Sequence, residues 1–174
     1  MAIPLYDLTV GSYLQTLGGV TGYLQRGLDH FRDNNIDPEE IVETRLWSDM
    51  LPFRFQIVSV VHHSIGAIEG VKKGAFGPPS DNRQHDYAGL QGIVAEAREA
   101  LGKLTPAEVN ALEGHDVVFQ IGDRFKVPFT AENFLMSFSM PNFYFHATTA
   151  YDILRSKGVP LGKRDFMGEM RMKR

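Results

Sequence analysis

Val10, Leu14, Leu17, Val20, Leu24, Leu28 and Phe31 recur at spacings of three and four, which predicts an amphipathic helix from Val10 to Asn34. Gly18, Gly19 and Gly22 interrupt that pattern. Glycine weakens a helix interior, so the cluster marks either a close approach by another backbone or a bend. It is no phosphate loop, because neither Lys-Ser nor Lys-Thr follows it. A second apolar face, Phe53, Ile57, Val60, Val61, Ile65, Ile68 and Val71, predicts a helix from Pro52 to Lys73. Tyr87, Leu90, Val94, Ala97, Leu101 and Leu104 form a narrower seam on a third, Gln84 to Gly102. A fourth helix is expected from Thr130 as N-cap to Lys157, stopped by Gly158 and Pro160. Pro141 lies inside it and predicts a kink or restart near Ser137 to Pro141, because proline has no backbone donor and crowds the preceding turn.

The connections carry their own signals. Asp37-Pro38-Glu39-Glu40 and Thr105-Pro106-Ala107-Glu108 each read as an N-cap, a proline at the first helical position and a reciprocal Glu, so a short helix is expected after each. Gly74 to Asn82, with Pro78-Pro79, reads as a loop. Val117 to Ile121 and Arg124 to Phe129, rich in β-branched and aromatic residues around Gly122-Asp123, predict a hairpin with a two-residue turn. Together these elements give an all-α four-helix bundle with a long crossover, short extra helices and one small β-hairpin before the last helix. Leu17, Leu24, Ile57, Ile65, Val94, Leu101, Phe138 and Ile153 are its expected core.

A length of 174 residues suits one domain, residues 1–174, able to bury about two-thirds of its unfolded surface. The net charge of −3 gives no general attraction for nucleic acid, and the local basic run Lys163, Arg164, Arg171, Lys173 and Arg174 reads as a solvated tail. There is no cysteine, so chemistry falls to His, carboxylates, amides and hydroxyls. No apolar run is long enough to span a membrane, and Met1 to Asp7 carries no basic segment followed by an apolar stretch, so a cytoplasmic protein is expected.

On the fourth helix Leu135, Phe138, Asn142, His146, Thr149 and Ile153 share a face at 100° per residue. Asn142 and His146 therefore point together, and two polar side chains in a bundle core imply a hydrogen-bonded network or a ligand. His62 and His63 are expected to border solvent or cap the bundle, with Asp49 and Asp152 solvated. There is no Glu-x-x-His element, no His-Glu-x-x-His and no Gly-x-Ser-x-Gly. Phe143, Tyr144 and Phe145 cannot all face one way, so part of the run packs outside the Asn142 and His146 stripe, either in the core or under a second subunit, a homodimer.

Pro141-Asn142-Phe143-Tyr144-Phe145-His146, Ala150-Tyr151-Asp152-Ile153-Leu154-Arg155 and Val159 to Phe166 resemble the last helix and tail of the DinB-like, or YfiT-like, superfamily of four-helix bundles. They look most like an uncharacterised bacterial branch of it, and the resemblance extends to Leu5-Tyr6-Asp7 and Arg45-Leu46 with Asp49-Met50. That resemblance implies a divalent metal, zinc or nickel, held by one His on the second helix and an i, i+4 His pair on the last. His146 matches the second of the pair, Asn142 stands at the first, and Gln56 stands at the second-helix position. Amide carbonyls are weaker ligands than imidazole, so the implied set is incomplete, with His63 as an alternative ligand. The leading expectation is a small molecule bound in a central polar pocket lined by His146, Asn142, Gln56 and Thr149. The alternatives are a metal-dependent enzyme of thiol-transferase or hydrolase type and a structural homodimer without ligand.

Overall fold

The computed structural model describes residues 3–80 and 83–173; Asn82 at the end of the expected loop and Arg174 of the basic tail lie outside them. In chain order the helices are α1 (Leu5–Leu8), α2 (Val10–Asp33), α3 (Glu39–Val42), α4 (Phe53–Val61), α5 (Ala67–Lys73), α6 (Tyr87–Gly102), α7 (Pro106–Asn110), α8 (Ala131–Phe134), α9 (Met140–Ser156) and α10 (Lys163–Met167). Single π turns join α4 to α5 (His62–Gly66) and α8 to α9 (Leu135–Ser139), so each pair runs as one long helix. The four long helices form the bundle: α2 packs on α6 and α9, and α4 packs on the same two. Long connections, from Asn34 to Pro52 and from Lys103 to Thr130, separate the first helix from the second and the third from the last.

Local chemistry explains most boundaries. Asp37 accepts from the Glu39 amide at 3.0 Å ahead of α3, and Thr105 with Glu108 closes the expected capping box on α7. Helix α6 starts at Tyr87 rather than Gln84, because Asp86 caps it by accepting from the Gly89 amide. Thr130 precedes α8 but its hydroxyl makes no cap bond. The glycine cluster of α2 is explained at Gly19, where a Cβ would collide with the backbone carbonyls of Asp165 and Phe166 as α10 crosses the helix.

The hairpin is present, with β2 (Asp116–Ile121) antiparallel to β3 (Phe125–Thr130) and Ile121 paired with Phe125. Its loop is therefore Gly122 to Arg124, one residue longer than expected, with Gly122 at a φ of 57°. A two-residue strand, β1 (Ala75–Phe76), adds in parallel to β2 from the stretch read as loop. It inserts Phe76, buried, against the second long helix. Among the described residues no helix is long and apolar enough to cross a membrane.

Candidate functional site

The site grows from the two π turns. A π turn inserts one extra residue, so every later side chain is displaced by about 100° around the helix axis. In the last helix the cause is Pro141: it has no N–H to donate, and the helix widens over Leu135–Ser139 just before it. In the second helix the Ser64 hydroxyl donates to the carbonyls of Val60 and Val61 at 2.8 and 3.0 Å, standing in for backbone donors where the turn widens. The two widened turns meet, and fully buried Ser139 donates its hydroxyl to the His63 carbonyl at 2.9 Å.

Before the first π turn, Gln56 is 2% exposed. Its Nε2 donates to the Leu51 carbonyl at 2.8 Å, which fixes the amide orientation and turns Oε1 toward the last helix. There Oε1 lies 2.7 Å from His146 Nδ1. A carbonyl oxygen only accepts, so Nδ1 carries the proton. Burial, and secondarily His62, pushes the His146 pKa down to about 4. The ring is therefore neutral at pH 7, with a bare lone pair on Nε2.

His63, seven residues after Gln56 and on nearly the same helix face, is buried at 7% exposure, against the expectation that it borders solvent. Its ring stacks on that of His146, with centroids 6.0 Å apart and planes 14° from parallel. Burial, then the neighbouring imidazoles of His62 and His146, pushes its pKa down to about 3. His63 Nδ1 has no hydrogen-bond partner among the described residues, and neither has the buried Ser59 hydroxyl one turn after Gln56. Aromatic rings enclose the pair. Phe55 and Phe145 meet His146 edge-on at 5.8 and 5.3 Å, while Phe76 and Phe138 lie 5.5 and 5.8 Å from His63.

The other expected residues sit apart. Asn142 is half-buried and donates from Nδ2 to the Phe138 carbonyl on its own helix at 2.7 Å, so it serves the backbone disturbed by Pro141. Thr149 is buried and donates to the Phe145 carbonyl at 2.8 Å. It lines a separate groove with Leu46 and Met50. Sequence reasoning missed Ser59 and Ser139, and held His63 only as an alternative. Pro141 was the one local signal for the second π turn, and nothing equally specific marks the first.

As for the metal implied by resemblance, among the described residues no three His, Cys, Asp or Glu side chains are grouped to hold an ion. The Gln56 carbonyl is occupied by His146 Nδ1–H, and Asn142, whose Nδ2 donates to the Phe138 carbonyl, could offer only an amide oxygen in place of an imidazole. The residues present do not fit a three-imidazole site.

Comparison with known proteins places this geometry in context. A family model described as a domain of unknown function, DUF1993, matches residues 5–167. No curated protein sequence matches the chain. Among solved structures, a DinB family member protein from Shewanella denitrificans superposes with a TM-score of 0.79 at 24% identity, over 98% of this chain and 95% of that one. The fold is DinB-like.

Proposed function

We propose a function for this chain, which belongs to the DUF1993 family: it binds a small uncharged molecule with an apolar body against the His63 and His146 rings. One observation carries this reading. A buried, unpartnered His63 Nδ1 lies beside a neutral His146 that Gln56 holds in the Nδ1–H form. A polar atom buried without a partner costs about 1 to 3 kcal/mol, and a ligand hydrogen bond would remove that cost. The surrounding phenylalanines suit an apolar body, in keeping with sites that combine aromatic walls with few polar groups.

A second reading, a divalent cation on His146 and His63, is favoured by one feature. Metal-bound imidazoles commonly donate their other N–H to a carbonyl, as His146 does to Gln56. A second copy of the chain is the proposed cover for the groove of about 500 Å³ between Leu46, Met50, Tyr144 and Phe145. Phe145 in that lining is 57% exposed, and Trp47, next in sequence to Leu46, is 70% exposed.

Native mass spectrometry of untagged protein, purified without chelator, tests the site. The expected result is an organic adduct that disappears in His146→Ala and in His63→Leu, with both variants retaining helical circular dichroism. A stoichiometric zinc or nickel adduct would replace this reading with the second. Neither adduct, and no thermal shift with a metabolite library, would overturn both.

A further inference from the structure

On the other side of the first π turn lies a cavity of about 320 Å³ between the second long helix and α6. Its walls are apolar, formed by Val58, Ile65, Ile93 and Ala97, while Glu69, Glu96 and Arg83 stand among its polar lining. Small-molecule sites span roughly 300 to 1,000 Å³, so this volume suits a molecule of about one ring and a short chain.

His62 supplies the cavity with a directed polar group. Its Nε2 lies 2.7 Å from the Gly77 carbonyl and must donate there, because a carbonyl oxygen only accepts. The ring is held flat against Phe76, with centroids 4.3 Å apart and planes 25° from parallel. Burial pushes its pKa down, against a smaller opposing effect of the Gly77 carbonyl. With Nε2 donating to Gly77, Nδ1 is the acceptor of the neutral ring. Gly66, one turn on, lines the same cavity, and a Cβ there would sit 3.5 Å from His62 Nδ1. The missing side chain leaves space beside the acceptor. Two carboxylates against one guanidinium make the polar lining acidic.

We propose that this cavity binds a small amine carrying an apolar body, with the ammonium N–H donated to His62 Nδ1 and its charge matched by Glu69 and Glu96. The apolar body lies on Val58, Ile65, Ile93 and Ala97. This goes beyond the His146 site and does not rest on it. His63, whose ring centroid is 5.2 Å from that of His62, stands between the two sites.

The test is a titration of the full chain with 2-phenylethylamine, 2-phenylethanol and 3-phenylpropionate, followed by ring ¹⁵N resonances of the histidines. The amine should shift the His62 Nδ1 resonance saturably, with a dissociation constant on the order of 1 mM for so small a ligand. The anion should bind at least tenfold more weakly, and the alcohol should lie between them. Ala100→Phe, at a half-buried position in the cavity lining, should weaken the amine at least tenfold by filling the space. Glu69→Gln with Glu96→Gln, both at exposed positions, should erase the preference for amine over alcohol without a packing change. Equal affinity for amine and anion would overturn the proposal. So would full amine binding by folded Ala100→Phe, or the absence of a saturable shift at His62. A shift confined to His146 would also overturn it, and would change the reading of the His146 site from an uncharged ligand to an amine, whereas no shift at either histidine leaves that reading untouched.

Discussion

The first and third long helices, α2 and α6, run unbroken, whereas the second and fourth, built around the same core, each widen by one π turn. Buried polar side chains divide the same way. Tyrosine hydroxyls apart, which α2 buries at Tyr13 and Tyr23 and α6 at Tyr87, the buried polar side chains among the described residues are Thr16 on α2, none on α6, Gln56, Ser59, His63 and Ser64 on the second long helix, and Ser139 and Thr149 on the fourth. One half of the bundle is organised for packing. The other gives up regular backbone bonding at its two π turns and carries most of the buried non-aromatic polar side chains, which is how a site departs from the local rules that otherwise specify the fold.

The largest test of that contrast is to damage the packing half. Leu101→Ala on α6, at a fully buried position, should cost about 2 to 5 kcal/mol in denaturant unfolding. The imidazole resonances of His63 and His146 should stay in place. If they move with it, the two halves are not separable.

In the polar half, Gln56→Leu should cost about 1 to 3 kcal/mol, because the His146 Nδ1–H and the Leu51 carbonyl both lose their partner. It should also release the His146 tautomer, seen as loss of the slowly exchanging Nδ1 proton.

Acid should act on the same half. His63 and His146 titrate at about 3 and about 4 in the folded chain, below the 6.5 of a free histidine. Between those values the unfolded chain binds protons that the folded chain refuses. Stability is therefore complete above about pH 6.5 and falls as the pH drops toward 4, by at most about 1.4 kcal/mol per unit for each imidazole. Urea unfolding between these limits measures the slope, and His63→Phe should reduce it by about one proton. An unchanged slope would mean that His63 titrates normally.

The smallest effect is expected at Asn142. Its amide serves the Phe138 carbonyl and makes no bond to His146, so Asn142→Ala should cost about 0.5 to 1.5 kcal/mol and leave ligand binding within twofold. A tenfold loss of binding would bring Asn142 back into the site.

The regular stretches of this fold were legible in the spacing of apolar residues. Leu17, Leu24, Ile57, Val94, Leu101 and Ile153 are buried as expected, whereas Ile65 and Phe138, each within a π turn, are only partly buried. A constant 100° per residue cannot register one inserted residue. The candidate site also divides. Gln56 lies before the first π turn and His146 after the second, each in a regular segment whose phase the pattern gives, and the two meet. His63, seven residues after Gln56 and so on nearly the same helix face, reads as bordering solvent because a lone histidine is more often solvated, yet it is buried. Strand β1 escaped notice because two residues are too few to show alternation, and its partner β2 is distant in sequence.

The central claim is that Gln56 and the paired π turns hold two uncharged imidazoles side by side, with His146 Nε2 free to receive a ligand. Ring ¹⁵N spectra of the ligand-free chain at about pH 5.5, below the ordinary histidine pKa, address it directly. The account predicts that His63 and His146 are both neutral there, with His146 protonated on Nδ1 and bare on Nε2. An imidazolium at either residue, or the proton of His146 on Nε2, would contradict it.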